Sequence, residues 1–161
     1  MPKEANIQFV ESIKTVFETV FKEYGFELEE KAIWNGAGED TVKASKPDIE
    51  LIYYLGHLPQ FYTCSVGIRL SGQLAERATS LKYYYNMSII EIAHYLDKNY
   101  EYNNIDVYTN EDLIRALEQE KETLLTYCAG ILSGDVSTWS EAVKRSEEYR
   151  TGSGKELWSI S

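Results

Sequence analysis

The chain has 161 residues, 43% of them hydrophobic, and its 26 acidic and 16 basic residues give a net charge of −10 at pH 7. A chain of this length can bury one core without disulfides or metals, whereas its acidity argues against binding nucleic acid or an anionic membrane, both of which are bound through Lys and Arg. It contains no run of about 18 apolar residues of the kind that crosses a membrane, and no recognisable secretion signal, so we expect a cytoplasmic protein.

The first part of the chain changes from a helical to a strand-like hydrophobic pattern. Between Ala5 and Tyr24, apolar residues recur every three or four positions, which predicts an amphipathic helix that ends at Gly25. Farther along, apolar and polar residues alternate in short runs that are typical of strands. These runs cover residues 26–28, 32–34, 41–44, 49–55 and 62–70. Their short connections favour hairpins, so we expect an antiparallel sheet of three or four strands with the helix across one face.

Helical periodicity returns after Gly72. We predict a helix over residues 73–85 and a second helix that begins at Ser88, because Ser88 and Glu91 have the spacing of a capping box. Residues 105–108 then have the composition of a short strand, although the sequence does not show whether this strand joins the sheet.

Two longer helices complete the pattern. The first is capped by Thr109 or Asn110 and is predicted to run to about Gly134. Its predicted buried stripe consists of Leu113, Leu117, Leu124, Tyr127, Cys128 and Ile131. Thr138 and Glu141 again have the spacing of a capping box and are predicted to open the second helix. The residues that this last helix is predicted to bury are Trp139, Ala142, Val143, Ser146 and Tyr149.

These patterns predict an α+β fold: an N-terminal helix, a small antiparallel sheet and then three or four helices, in one domain over residues 1–150. Residues 151–161 form a polar, glycine-containing tail that we expect to be flexible, with Trp158 as a side chain able to dock on the domain. Cys64 and Cys128 lie far apart within strongly patterned segments, so we expect two buried, reduced thiols.

Residues 80–104 are rich in tyrosine, which is consistent with either the margin of a core or a binding surface. Placed on the predicted helices, most of these rings lie at the edge of a buried stripe, where tyrosine commonly buries its ring and keeps its hydroxyl in water. Tyr83 points away from that stripe, and Tyr100 and Tyr102 follow in a polar loop. We therefore expect these three rings to be exposed and available for binding.

Acidic residues are concentrated between Asp97 and Glu122, where the sequence has eight carboxylates and only three basic residues, Lys98, Arg115 and Lys121. Such a surface would attract and steer a basic protein partner, although acidity also keeps small proteins soluble and monomeric without any partner. Together with the exposed tyrosines, this stretch is the predicted contact surface. Its candidate residues are Tyr83, Tyr100, Tyr102, Glu111, Asp112, Glu118 and Glu122.

Sequence signals for catalysis or metal binding are weak. Glu91 and His94 have the Glu-x-x-His spacing of di-iron bundles, but the sequence lacks the second pair that such a site needs. His57 stands in a predicted turn, and neither cysteine has a cysteine or histidine neighbour at zinc-ligand spacing. We therefore predict no catalytic residue, no metal site and no cofactor.

Glu120 is an acidic residue predicted to lie in the middle of a buried helical stripe, where an unpaired charge is costly. Three interpretations remain open: the carboxyl is paired with a tyrosine hydroxyl or an arginine, it is an acid of raised pKa in a functional cleft, or it overhangs the core into a partner interface. The second interpretation gives the alternative function. This is an enzyme or small-ligand-binding domain with a pocket between sheet and helices around Glu120, lined by Tyr53, Tyr62 or Tyr84.

The segment DLIRALEQEKETLLTYCAGILSGDVSTWSEAV, residues 112–143, resembles the helical end of small uncharacterised bacterial proteins, among them immunity proteins of toxin systems. That resemblance implies a non-catalytic protein that blocks a toxin by binding it, and the acidity would suit a basic nuclease as the target. The chain is also similar to type III secretion chaperones in being small, acidic and α+β, although its helical second half departs from their element order. A subunit of a homodimer is a further alternative, which predicts a large apolar face on the single chain.

Overall fold

The computed structural model describes residues 8–152 and has the predicted α+β architecture: an N-terminal helix, an antiparallel sheet and a helical second half. The first helix, α1, spans Phe9–Tyr24. It ends as predicted at Gly25, whose φ of 78° is the left-handed conformation that glycine adopts at helix ends. The predicted helix start at Ala5, together with Trp158 and nearly all of the C-terminal tail, lies outside the described residues.

The sheet contains six antiparallel strands. They are β1 (Glu27–Leu28), β2 (Ile33–Trp34), β3 (Glu39–Lys46), β4 (Ile49–His57), β5 (Tyr62–Leu70) and β6 (Asn86–Ser88). Their order is β1-β3-β4-β5-β6, and β2 also pairs with β3. The sheet is larger than the three or four strands predicted because the runs at 26–28 and 32–34 form two separate short strands, β1 and β2, that both pair with β3, and because β6, which has no strand-like pattern of its own, is added at the other edge.

The register of the long strands places most of their apolar side chains on the face that the helices cover. Tyr53 on β4 lies opposite Val66 on β5, and both residues are fully buried. The Tyr53 ring packs edge-on against Phe17 of α1, with the ring centroids 5.0 Å apart. The other face carries partly exposed polar residues such as Lys43 and Glu50. A helix across one face of the sheet is thereby confirmed.

The helix predicted over residues 73–85 is shorter in the structure. The helix α2 spans Gly72–Ala78 and stops where Thr79 adopts extended backbone angles, with φ of −163° and ψ of 149°. A 3₁₀ turn at Lys82–Tyr85 then leads into β6. The prediction is wrong beyond the end of α2 because the chain turns here to bring Tyr84 into the core.

Hydrogen bonds to a distant helix hold the 3₁₀ turn in place. Trp139 Nε1 donates to the Tyr84 carbonyl oxygen at 3.0 Å, and the Tyr84 hydroxyl pairs with Ser146 Oγ at 3.0 Å and donates to the Glu147 carboxylate. Leu81, which a continuous helix would have buried, is 42% exposed instead. These partners lie more than 50 residues away in the sequence, so no local pattern predicts the turn.

The next helix, α3, spans Ile89–Leu96 and begins as predicted, with the Glu91 backbone N–H donating to Ser88 Oγ at 3.1 Å. The short strand predicted after it is reduced to a single antiparallel bridge between Val107 and Tyr62. That bridge attaches the segment to β5 and therefore to the main sheet.

The long helix, α4, spans Asn110–Tyr127 and has the predicted cap. The Thr109 hydroxyl accepts from the Asp112 backbone N–H, and the Asp112 carboxylate accepts from the Thr109 backbone N–H, which completes a capping box. The predicted continuation to Gly134 is wrong, because a separate helix, α5, follows at Ala129–Leu132.

The last helix, α6, spans Ser137–Arg150. Thr138 and Glu141 lie inside it and do not cap it as predicted; the Asp135 carboxylate instead accepts from the first backbone N–H of the helix at 3.0 Å. Tyr149 is 41% exposed, so its predicted burial is also wrong. The residues whose predicted burial is confirmed are Trp139, Ala142, Val143 and Ser146.

Buried apolar side chains from the sheet and the helices form one hydrophobic cluster. Cys64 and Cys128 belong to it as free, buried thiols, as expected. Among residues 8–152, none of the helices is both long enough and apolar enough to cross a lipid bilayer.

Candidate functional site

A groove between α4 and the loop of residues 97–103 gathers part of the predicted acidic surface. Its volume is about 350 Å³, and we refer to it as the acidic groove. Its lining residues are Asp97, Asn99, Tyr100, Glu101 and Asn103 from the loop and Gln119, Glu122, Thr123, Thr126 and Tyr127 from α4. One wall of the groove is therefore α4, which packs on the sheet. The other wall is the loop of residues 97–103, which is neither helix nor strand and depends on side-chain contacts for its shape.

Hydrogen bonds fix both ends of this loop. Where α3 ends, Arg145 Nη1 donates to the carbonyl oxygen of Leu96 at 3.0 Å, and the Asp97 carboxylate accepts from the Asn99 backbone N–H at 2.9 Å. At the other end, the Gln119 side chain accepts from the Asn103 backbone N–H at 3.0 Å and donates to the Asn103 carbonyl at 2.8 Å. The loop is thus anchored to α6 and to α4 and holds its residues in place against the groove.

Two tyrosine rings stand in the groove in fixed orientations. The Tyr127 hydroxyl donates to the Asp97 carboxylate at 2.6 Å, and the Tyr100 hydroxyl pairs with Thr123 Oγ1 at 2.9 Å. The two rings are nearly perpendicular, with centroids 5.5 Å apart. The shared hydrogen bond lowers the pKa of Asp97 and raises the pKa of Tyr127 to about 12, so Asp97 is ionised at neutral pH.

Three carboxylates of the groove have no cation partner within residues 8–152. Asp97, Glu101 and Glu122 form no salt bridge there, although Lys98 is next to the first of them in the sequence. Among the described residues, the exposed Asp106 and Glu111 also lack a cation partner, whereas two acidic residues of α4 have one. Their pairs are Asp112 with Arg115 at 2.8 Å and Glu118 with Lys121 at 3.7 Å. The groove therefore gathers three carboxylates whose charge no cation of the described chain compensates.

The structure brings together only two of the residues predicted for partner binding, Tyr100 and Glu122. Tyr83 is 80% exposed, as predicted, but it lies on the 3₁₀ turn, among Leu81 and residues of α6. Tyr100 and Tyr102 are only partly exposed, which corrects the prediction of open rings. Burial, followed by the proximity of Glu120, raises the pKa of Tyr102 to about 12.

The remaining predicted contact residues lie on α4 outside the groove. Glu111 and Glu118 are exposed, whereas Asp112 is occupied in the capping box. Among the acidic and aromatic residues of the groove, those that the sequence did not single out are Asp97, Glu101 and Tyr127. Asp97 and Glu101 belong to the acidic stretch but have no local feature that distinguishes them, and Tyr127 had been assigned to the buried stripe of α4.

Glu120 is buried, as predicted, with 1% of its surface exposed. Its partner is neither a tyrosine nor an arginine: Oε1 accepts from the Val66 backbone N–H at 3.0 Å, and Oε2 has no hydrogen-bond partner among the described residues. Burial raises the pKa of the carboxyl to about 8, against the smaller opposing effect of the Val66 hydrogen bond. Glu120 does not line the acidic groove, so a pocket around this residue stays a prediction.

Within the described part of the chain, no group of three or more His, Cys, Asp or Glu residues is arranged to hold a metal ion. His94 is exposed on α3. His57, predicted to stand in a turn, is the last residue of β4 and contacts the Asp40 carboxylate.

Comparison of the chain with protein-family models, with curated proteins and with solved structures found no match. Function is therefore inferred from the charges and contacts of the chain itself.

Proposed function

We propose that this protein is a cytoplasmic, non-catalytic module that binds a basic protein partner through the acidic groove. Binding itself would be the function, as the resemblance to immunity proteins implies. The observation that carries the proposal is that Asp97, Glu101 and Glu122 line one groove without a salt bridge in the described chain. Lys or Arg side chains of a partner would supply the compensating charge.

The overall charge of the chain supports the same class of partner. A net charge of −10 speeds the encounter with a basic protein and repels nucleic acid. The acidic groove then adds a local feature, because its carboxylates are close to tyrosine rings that can receive the aliphatic part and the cationic end of a basic side chain.

The rigidity of the groove favours binding as well. The loop of residues 97–103 is anchored at both ends, and the Tyr100 and Tyr127 rings are held by their own hydrogen bonds. A surface that is already ordered loses little conformational entropy when a partner binds, and tyrosine offers a large contact area at low entropic cost.

A pair of charge-matched double variants tests this proposal. Glu101→Gln with Glu122→Gln removes two negative charges from the groove, and Glu111→Gln with Glu118→Gln removes two from α4 outside it. The wild-type chain and both variants are immobilised and exposed to lysate of the native host. Bound proteins are eluted with increasing salt and identified by mass spectrometry, and the affinity of each captured protein is then measured by calorimetry.

We expect a basic protein that the wild-type chain and the α4 variant retain equally and that the groove variant binds at least tenfold more weakly. Its affinity for the wild-type chain should fall steeply with salt, and this dependence should be flatter for the groove variant. Equal retention by all three chains would place the contact outside the groove. Retention by none of them, with bait alone recovered, would contradict the binding function itself.

A further inference from the structure

A second groove lies at the end of the sheet where α1 begins, and we refer to it as the sheet-end groove. Its volume is about 380 Å³. Its walls are mainly apolar and come from Phe9, Val10, Ala32, Leu55 and Tyr62. A small number of polar groups that converge in an otherwise apolar groove is the usual composition of a binding site for a small organic group. Here the polar groups are Asp40 and His57, with Gln8 and Glu11 also among the lining residues.

Strand register brings Asp40 and His57 together. Asp40 on β3 lies opposite Leu55 on β4, and His57 follows two positions later on the same face of that strand. The His57 Nε2 atom lies 2.8 Å from Asp40 Oδ2. Both side chains remain partly exposed, so the pair stands at the groove surface and is not sealed in the core. Among the described residues, no hydrogen bond is made to the second oxygen, Oδ1, of Asp40.

An aromatic side chain flanks this carboxylate. Trp34 on β2 lies directly opposite Asp40 in the sheet, and its ring packs edge-on against the His57 ring, with centroids 5.2 Å apart. Despite these contacts, Trp34 is 54% exposed, which is unusual for so large an apolar residue at a fixed position of a sheet. The ring therefore offers an open aromatic surface beside a carboxylate.

The charges of the groove select a cationic occupant. Asp40 and Glu11 are both acidic, and Glu11 lies in the first turn of α1, where its carboxylate offsets the positive end of the helix dipole. Lys14 does contact Glu11, but only at 3.9 Å, and it is also bonded to Glu30 at 2.8 Å. Asp40 has no lysine or arginine partner within residues 8–152.

We propose that the sheet-end groove binds an organic cation, namely an ammonium or guanidinium group carried on a compact apolar body. The cationic group donates to Asp40 Oδ1, the Trp34 ring adds a cation–π contact, and the apolar body lies against the Phe9 and Leu55 walls. This site involves none of the acidic-groove residues, so it does not depend on the function proposed above. The same chemistry is found in a free amine and in a basic side chain of a polypeptide.

Titrations followed by ¹H–¹⁵N NMR of the full chain test the proposal. The probes are benzylamine, its neutral isostere benzyl alcohol, and the blocked tripeptide acetyl-Gly-Lys-Gly-amide. The variants are Asp40→Asn, which keeps an oxygen for the His57 contact, and Trp34→Leu. The control is Glu50→Gln, which removes a carboxylate from the other face of the sheet. Circular dichroism establishes that each variant is folded.

We expect benzylamine to shift the Trp34 indole resonance and the Asp40 amide resonance saturably. Benzyl alcohol should bind with at least tenfold lower affinity. Asp40→Asn should lower the affinity for benzylamine at least tenfold, and Trp34→Leu should lower it severalfold. The control variant should bind benzylamine as tightly as the wild-type chain does. Saturable shifts with the free amine alone would indicate a small-molecule ligand, and a stronger response to the tripeptide would indicate a polypeptide side chain. Equal binding of benzylamine and benzyl alcohol to the wild-type chain, or no saturable shift with any probe, would overturn the proposal without reference to the variants.

Discussion

Glu120 on α4 accepts a hydrogen bond from the Val66 backbone N–H on β5 at 3.0 Å, and this bond joins the long helix to the centre of the sheet. The second oxygen of the carboxyl has no partner among the described residues, so the charged form is poorly compensated. Burial accordingly raises its pKa to about 8. At pH 7 the Glu120 carboxyl is therefore mainly protonated, and it adds no negative charge to the acidic groove.

The raised pKa of Glu120 predicts how stability changes with pH. The folded chain keeps a proton on this carboxyl up to about pH 8, whereas the unfolded chain releases it near its ordinary pKa of 4.5. The free energy of unfolding should therefore fall between about pH 5 and pH 8, with Glu120 contributing up to about 1.4 kcal/mol for each pH unit. Glu120→Gln should remove this contribution. Urea unfolding at several pH values measures the free energy of unfolding. The result to compare is its slope against pH in the wild-type chain and in the variant.

The exposed Glu118 on the same helix offers the control for that experiment. Glu118→Gln should leave the slope between pH 5 and pH 8 as it is in the wild type. A wild-type chain whose unfolding free energy does not decrease over this range would show that Glu120 is ionised in the folded state.

Lys46 links the ends of two helices. Its Nζ donates to the carbonyl oxygen of Tyr24, at the end of α1, at 2.7 Å, and to that of Leu132, at the end of α5, at 2.8 Å. Lys46→Met keeps the apolar stem but leaves both carbonyls without this donor, so it should lower the free energy of unfolding by about 2–4 kcal/mol. Chemical denaturation measures the change. Lys43→Met, on the other face of β3, should cost less than about 1 kcal/mol, and equal costs would contradict the role of Lys46.

Asp112 and Glu111 are neighbours that should respond differently to substitution. Asp112 completes the capping box with Thr109, whereas Glu111 is exposed in the first turn of α4. Asp112→Ala should therefore lower the free energy of unfolding by about 1–2 kcal/mol, and Glu111→Ala by a few tenths. Thermal unfolding of both variants gives the comparison. A larger loss for Glu111→Ala would mean that the cap does not stabilise the helix.

The capping role of Asp112 also shows what the sequence could predict about this fold. The Thr109 cap, the Ser88 cap and the end of α1 at Gly25 depend on residues close in sequence, and all three were predicted from local spacing. The strand alternation of β4 and β5 was predicted for the same reason. The prediction of Asp112 as a partner-binding residue depends on its charge, whereas in the structure its carboxylate is used within the capping box.

Features that depend on distant residues were not predictable in this way. The helix break before Tyr84 is held by partners on α6, and the acidic groove depends on contacts such as the one between Asp97 and Tyr127. The helical spacing of α4 predicts that the Tyr127 ring lies in the buried stripe. Such a pattern contains no information about the loop of residues 97–103, which lies beside this ring in the structure. The concentration of acidic residues along the sequence predicted the general region of the candidate site, but only the contacts show which carboxylates lack a cation.

The buried thiols provide a measure of unfolding that tests the role of Lys46 independently. Burial raises the pKa of Cys64, and it raises that of Cys128 to about 12, so neither thiol should react with a disulfide reagent in the folded chain. Both should react at once in concentrated guanidinium chloride. In buffer, the slow reaction should report the population of opened chains, and Lys46→Met should accelerate it roughly tenfold for each 1.4 kcal/mol lost. Absorbance of the released thiolate follows the reaction, with Lys43→Met as the control. Rapid modification of the folded wild-type chain would show that the thiols are accessible and that the buried cluster opens without global unfolding.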